Sequence, residues 1–207
     1  MTVADQLAVQ RTRMAPEQRK AHLRAVARSV FAERGYAASG LAEIADRARV
    51  SKTLLYHYYA EGRPELYTAV MDDLLQELQA STRAALAAPF DVPRRIAGYV
   101  EAFLTYFEGR ADAFRLLFRE PWGSGDPHVV RRGVDVLVDL SQDLAGPLAS
   151  FGAPADTLMT VTAGAAGFLV AVTDTMVAGQ VGRQRATAIV TDFVLAGMRA
   201  IAEEGGP

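Results

Sequence analysis

The sequence predicts an all-α protein built from nine helices. Apolar residues recur at helical spacing along most of the chain, and no segment shows the period-two alternation of a half-buried strand. Half of the 207 residues are apolar, which is enough to bury a sizeable core. We therefore expect helices packed on helices, in one large domain or two small ones.

Composition excludes several kinds of site. The chain has no cysteine, so disulfides and thiolate metal sites are ruled out. Its three histidines, His22, His57 and His128, are too far apart in sequence to suggest a metal cluster. No cofactor is expected. The first thirteen residues lack the apolar core of a secretory signal, which favours a cytoplasmic protein.

Charge is distributed unevenly along the chain. Residues 1–60 carry ten Lys and Arg against five Asp and Glu, a net charge of +5, whereas the rest has twelve against nineteen, a net of −7. A basic amino-terminal part can approach phosphate, and an acidic remainder would be repelled by it. An uneven solvated surface would give the same count.

Three helices are predicted in the first sixty residues. The first spans residues 16–34 and ends at Gly35, which can adopt the left-handed conformation of a helix cap. A two-turn helix follows Ser39 and Gly40, either of which could cap it. The third helix spans Lys52–Tyr58.

Six more helices are predicted beyond Gly62. Pro121 should stop the sixth helix, and Gly146 with Pro147 should kink or break the seventh. The eighth has so few charges that we expect it to be buried nearly all round. It could span a bilayer by length, but Asp174 would be costly there, so a buried helix is favoured. The expected spans are 64–88, 93–108, 111–119, 127–151, 154–181 and 183–204.

Two short helices joined by Arg49 to Ser51, after a longer supporting helix, form a helix-turn-helix pattern. The run HLRAVARSVFAERGYAASGLAEIADRARVSKTLLYHYYAEGRPELYTAV resembles the amino-terminal domain of the TetR family over about fifty residues. The resemblance implies a DNA-binding domain at 16–62, with homology to about 78. The preceding residues 1–15, which include Arg11 and Arg13, are expected to be a disordered tail, although they could reach an adjacent minor groove as basic arms do. The resemblance also implies a ligand-binding and dimerisation domain at 63–207, and a homodimer through the last two helices.

The resemblance further implies which residues face double-stranded operator DNA. Backbone amides at the start of the second helix could hold a phosphate oxygen, and lysine and tyrosine side chains can donate to bases or phosphates. Leu55 and Tyr59 should point inward. The implied DNA-facing residues are Ser39, Gly40, Lys52, Thr53, Leu54, Tyr56, His57, Tyr58 and Arg63.

Three departures from the family pattern affect this interpretation. Arg49 stands where a turn glycine is usual and would strain a left-handed turn by about 1 kcal/mol. Leu54 stands where a threonine commonly reads a base, although it could touch a thymine methyl. The link to the fourth helix is one residue longer than usual. A helical scaffold protein whose helix-turn-helix no longer reads DNA is the alternative.

An effector pocket for a small molecule is implied in the second domain. Aromatic residues cluster there, and Asp174 brings charge to an apolar helix, although a core without a ligand would look much the same. No phosphate loop, nucleophile elbow or metal-ligand spacing suggests an enzyme. The candidate ligand-binding residues are Phe103, Tyr106, Phe107, Phe118, Trp122 and Asp174.

Overall fold

The computed structural model describes residues 14–149 and 154–204, which form nine helices and no strand. This confirms the predicted fold class. Residues 1–13 of the expected tail lie outside the described part. The helices are α1 (Pro16–Ala38), α2 (Leu41–Arg47), α3 (Lys52–Tyr58), α4 (Arg63–Leu86), α5 (Val92–Phe107), α6 (Ala111–Phe114, a π-helical turn at Arg115–Arg119, and Glu120–Gly123), α7 (Pro127–Ala149), α8 (Ala155–Val177) and α9 (Arg183–Glu204).

The chain divides into two compact units, Met1–Val70 and Met71–Pro207, and the division falls inside α4. In the first unit α1 breaks at Gly35, whose φ of 75° is positive as expected, but its ψ of 170° is not that of a left-handed helix cap, and helical structure resumes to Ala38. Beyond the break, the Tyr67 ring meets Phe31 and Tyr36 edge-on, with ring centres 4.8 and 5.0 Å apart. This aromatic contact packs the start of α4 against α1.

The second unit has an aromatic core based on α5. Asp91 caps this helix by accepting a hydrogen bond from the backbone N–H of Arg94 at 2.9 Å. Phe103 and Phe107 lie on its buried side and pack against Phe118 of α6. The apolar periodicity that predicted α5 therefore faces the core.

Pro121 does not stop α6, contrary to the expectation from sequence. The backbone N–H of Glu120 donates to the carbonyl of Arg115, five residues back, within a π-helical turn, and helical structure continues to Gly123. A π turn re-registers the hydrogen bonds ahead of a proline that cannot donate one itself. The helix therefore accommodates the proline.

The expected break in α7 is also absent, because the helix runs through Gly146 and Pro147 to Ala149. A proline this close to the carboxyl end disturbs few of the hydrogen bonds of a helix. The remainder of the expected span, residues 150 and 151, lies outside the described part of the chain.

The expectation that α8 is buried nearly all round is wrong. Only 22% of its most apolar stretch is buried within this chain, although its length and composition would suffice to cross a membrane. Ala165, Ala166 and Leu169 face the core, whereas Gly164 and Gly167 are exposed. Helix α8 thus has two apolar faces. One packs inside the subunit, and the other is exposed to solvent in the single chain.

Candidate nucleic-acid interface

Helix α3 is positioned by its cap and by two inward-facing residues. The Ser51 hydroxyl accepts a hydrogen bond from the backbone N–H of Leu54 at 3.1 Å, as predicted for an N-cap. Leu55 is fully buried and Tyr59 is 5% exposed, which confirms both as core residues. The opposite side of the helix is thereby turned outward.

The outward side of α3 carries most of the residues implied to face DNA. Lys52, Thr53, Tyr56 and His57 are exposed, and Tyr58 is half-buried with its ring edge-on to His57, the ring centres 5.2 Å apart. This side offers an ammonium group, hydroxyls and an imidazole within two helical turns, and these groups suit contacts with base edges or phosphates. Leu54 is half-buried and adds an apolar contact surface.

The start of α2 is arranged differently from the side of α3. Gly40 is exposed and caps the helix without a side chain. Ser39 is 2% exposed, and its hydroxyl donates to the carbonyl of Gly35 at 2.6 Å. This bond ties the Ser39 side chain into the α1–α2 turn, so any contact to DNA at this position would come from the backbone.

Arg63 is also engaged within the protein. Its guanidinium donates to the carbonyl of Ala37 at 3.0 Å and lies over the Tyr36 ring, 4.4 Å from the ring centre. These contacts fasten the beginning of α4 to the α1–α2 turn. A phosphate contact by Arg63 would have to share or replace these partners.

The link before α4 is shaped by Gly62, whose φ is 76°. A Cβ atom here would lie 3.1 Å from Leu41 Cδ1 and 3.4 Å from Tyr56 Cε1. Glycine is therefore required by conformation and by the approach of α2 and α3. The link closes as a tight turn against α2 and α3, with the Gly62 N–H donating to the Tyr59 carbonyl at 3.0 Å.

The candidate ligand-binding residues are placed mostly in a packed core. Phe103, Phe107 and Phe118 are at most 6% exposed and touch one another. Tyr106 is 9% exposed and its hydroxyl donates to Glu77 Oε2 at 3.0 Å. Trp122, in contrast, is 51% exposed. The structure therefore brings the four buried aromatic residues into one cluster, whereas Trp122 is largely exposed to solvent.

Asp174 has a partner that sequence did not suggest. Its carboxylate accepts a 2.5 Å hydrogen bond from Arg119 Nε, which joins α8 to α6, and this bond raises the pKa of the guanidinium. Both side chains are about half exposed. The pair lies at the surface of its unit and would be screened by solvent.

Two features of the second unit were missed by sequence reasoning. One is a cleft of about 230 Å³, formed where the turn after α5 meets the turn between α8 and α9. The other is Tyr99, fully buried, whose pKa is raised by burial and by the Asp143 carboxylate. Helix-ending glycines were the available signal for the cleft, which is lined by Phe107, Glu108, Gly109, Ala111, Met176, Val177, Val181, Gly182 and Arg183.

The short helices α2 and α3, joined by a turn and preceded by the longer α1, form a helix-turn-helix, an arrangement that many DNA-binding proteins use. Residues 23–70 match the model of a family described as bacterial regulatory proteins, tetR family. Residues 23–70 therefore form a domain of the type found in tetR-family bacterial regulatory proteins.

Curated relatives and solved structures agree with this assignment. The chain is 37% identical over 110 residues to the HTH-type transcriptional activator FasR of Mycolicibacterium smegmatis, covering 53% of this chain and 50% of FasR. It is 32% identical over 120 residues to the HTH-type transcriptional repressor SCO4008 of Streptomyces coelicolor, covering 56% and 58%. The matched region thus spans 50% of FasR and 58% of SCO4008, about half the length of these curated relatives.

The fold of the whole chain is shared with solved regulators of low identity. A TetR-like transcriptional regulator from Rhodococcus sp. RHA1 has a TM-score of 0.71 at 20% identity, covering 90% of this chain and 99% of that one. A tetR-family regulator from Streptomyces coelicolor has a TM-score of 0.72 at 18% identity, covering 93% and 90%. At such identity the likeness concerns the fold alone.

Proposed function

We propose that this chain is a cytoplasmic, ligand-responsive repressor that binds a roughly palindromic operator as a dimer and is released by a small molecule. The observation that carries the DNA-binding part is the outward side of α3. Leu55 and Tyr59 anchor that helix from beneath, and Lys52, Tyr56 and His57 stand exposed on it. A helix held this way can enter a major groove with its polar side forward.

Each exposed group suits a defined kind of contact. Lys52 can donate to guanine acceptors or to a phosphate, and the hydroxyls of Tyr56 and Tyr58 can donate to either. Thr53 offers a hydroxyl beside Leu54, whose apolar side chain can meet a thymine methyl. The operator preferred by this chain should then differ from one read by a threonine at position 54.

The open face of α8 and α9 supports dimerisation. Met159 is 69% exposed and Phe193 is 54% exposed, with the Phe193 ring centre 4.1 Å from that of Phe168. Exposed Gly164 and Gly167 would let a helix of a second copy approach closely. A twofold dimer through this face would present two α3 helices to two half-sites.

Some apolar residues of α8 and α9 are used inside the subunit and are not open to a second copy. Ala165, Ala166, Val190 and Val194 are all buried within the chain. The side chains of Met198 and Ile201 lie outside the described part of the structure. The proposed face therefore consists of the exposed positions of α8 and α9, which alternate with the buried ones.

Analytical ultracentrifugation tests the dimer. Phe193→Glu should convert a dimer to a monomer, because a charge would have to be buried in an apolar interface. Val138→Glu is the matched control, since Val138 is 46% exposed on α7 and outside the proposed face. A monomeric parent chain, or a Phe193→Glu variant that remains dimeric, would contradict the proposal.

For the effector, we propose an apolar small molecule bound in the second unit among Phe103, Tyr106, Phe107, Phe118 and Trp122, with Asp174 as a polar contact. The nearby cleft at the end of α5 supports a ligand site in this region and shares Phe107 with the proposed set. In a dimer, the two amino-terminal domains must be spaced to fit the two half-sites of the operator. A ligand that binds more tightly to a dimer with another spacing must weaken DNA binding by the ratio of its two affinities.

Thermal-shift screening with small apolar compounds tests the effector proposal. A compound that raises the melting temperature should also reduce DNA binding, and Asp174→Asn should alter its affinity. Arg131→Ala is the control, because Arg131 is exposed on α7 and its Nε lies 3.8 Å from Asp135 Oδ1. Unchanged affinity in Asp174→Asn would remove Asp174 from the site.

Selection from random-sequence duplex DNA tests the central proposal. The parent chain should enrich a palindromic motif, and Lys52→Ala combined with Tyr58→Ala should lose it while keeping the same melting temperature. Arg131→Ala, which removes one positive charge outside α3, should enrich the parent motif. No enrichment at any salt concentration would favour the alternative, a helical scaffold whose helix-turn-helix no longer reads DNA.

A further inference from the structure

The turn between α2 and α3 contains a non-glycine residue in the left-handed region. Arg49 has a φ of 56°, and within the described chain it is the one residue other than glycine with a positive φ. Its backbone N–H donates to the carbonyl of Asp46 at 3.1 Å, and that of Val50 donates to Ala45 at 3.0 Å. Hydrogen bonds on both sides hold the turn in this conformation although glycine would suit it better.

Most cations near α3 are occupied by partners inside the protein. Arg34 pairs with Glu43 at 2.9 Å. Arg47 pairs with Glu33 and Glu43, both at 2.7 Å. Arg63 is held by backbone carbonyls, as described above. In the absence of DNA, the charges of Arg34 and Arg47 are therefore partly neutralised by glutamates, and the Arg63 guanidinium is hydrogen-bonded to the backbone.

Arg49 and Lys52 are the exceptions among the five Lys and Arg between residues 34 and 63. Both are exposed, and in the described part of the chain neither side chain has a hydrogen bond or an ion pair. Asp46 is the acidic residue closest along the chain to Arg49, and its carboxylate is also exposed and forms no ion pair with any described residue. Two free positive charges thus stand three residues apart on either side of the Ser51 cap.

We infer that Arg49 contacts a DNA phosphate beside the groove that α3 enters, and that this contact adds affinity without base preference. The inference rests on the proposed DNA binding and adds a residue to it. An unpartnered guanidinium next to the first turn of the reading helix can form a bidentate contact with a phosphate. Glycine would adopt the positive φ of this turn with less strain, but it has no side chain to contact a phosphate.

Salt dependence of DNA binding separates this role from a structural one. Binding of a nonspecific 30-base-pair duplex and of a selected duplex would be titrated at several salt concentrations. Each phosphate contact contributes about 0.9 to the slope of log K against log salt. Arg49→Ala should lower the slope by about that amount on both duplexes, and Arg49→Lys should keep most of it.

Arg49→Gly provides the sharpest readout, because it should raise the melting temperature by about 2–4 °C while lowering DNA affinity. Arg47→Ala is the matched control, since its guanidinium is already paired and its loss should leave the slope nearly unchanged. If the parent chain binds neither duplex, the proposed function fails. If the parent binds and Arg49→Ala keeps the parental slope, this inference alone is overturned.

Discussion

The guanidinium carbon of Arg63 lies 4.4 Å from the centre of the Tyr36 ring, while its Nη1 donates to the Ala37 carbonyl at 3.0 Å. One side chain at the start of α4 thus holds the turn between α1 and α2. Arg63 is implied by family resemblance as a phosphate contact, and its observed partners give it a structural role as well.

Replacing Arg63 should therefore destabilise the amino-terminal unit. Arg63→Ala should lower its free energy of unfolding by about 1–2 kcal/mol, because a cation–π contact and hydrogen bonds to carbonyls are lost. Chemical denaturation followed by circular dichroism measures this. Lys52→Ala, which removes an unpartnered cation, should leave stability within about 0.5 kcal/mol. Equal stability of the two variants would show that the Arg63 contacts contribute little.

Loss of the Ser51 cap should loosen α3. Ser51→Ala should cost about 1 kcal/mol, because the Leu54 N–H loses its acceptor at the start of a seven-residue helix. Amide hydrogen exchange along 52–58 should accelerate in this variant. Ser29→Ala, in the middle of α1, is the control, since the Ser29 hydroxyl makes only a 3.4 Å bond to the Ala25 carbonyl. Unchanged exchange after Ser51→Ala would contradict the role of the cap.

Two glycines of α7 should respond oppositely to alanine. A Cβ atom at Gly133 would lie 2.8 Å from Pro121 Cβ, whereas one at Gly146 would meet nothing within 4 Å. Gly133→Ala should destabilise by about 1–3 kcal/mol through overpacking, despite the better helix propensity of alanine. Gly146→Ala should be neutral or stabilising by up to about 1 kcal/mol. Thermal denaturation of the pair measures both, and a stabilising Gly133→Ala would refute the close packing of α6 on α7.

Tyr106 distinguishes a core residue from a ligand contact. Its hydroxyl contacts Glu77 and the carbonyl of Leu74, and the Arg110 guanidinium lies 4.7 Å from its ring centre. Tyr106→Phe should cost about 1 kcal/mol in the absence of any ligand, because the Glu77 carboxylate loses the hydroxyl as a donor. Unfolding in guanidinium chloride measures this change in the free energy of unfolding. A neutral effect on stability together with weaker effector binding would instead favour the ligand role.

Local signals predicted much of the fold and of the candidate interface. The span of α3, its Ser51 cap and the positive φ of Gly35 all depend on a few neighbouring residues, so they could be read from the sequence. The inward positions of Leu55 and Tyr59 followed from resemblance combined with helical spacing. Arg49 was expected to strain the turn, and its φ of 56° places it in the left-handed region.

Contacts between distant segments could not be predicted in this way. Arg63 was implied as a phosphate contact, but the fold places its guanidinium against the carbonyl of Ala37, 26 residues earlier. Asp174 suggested a polar ligand contact, whereas Arg119, 55 residues earlier, occupies its carboxylate. Pairings of this kind depend on which helices become neighbours, and that information is spread over the whole chain.

The sequence by itself determined the helical class, the helix-turn-helix and most helix ends, because these follow from backbone propensity, capping and apolar period. Only the tertiary structure decided which side of α8 packs inside the subunit, how α6 passes Pro121, and which cations near α3 remain free. Burial and charge pairing are set by neighbours brought close in space. A helix with two apolar faces or an arginine with two nearby acids has no defined role until that packing exists.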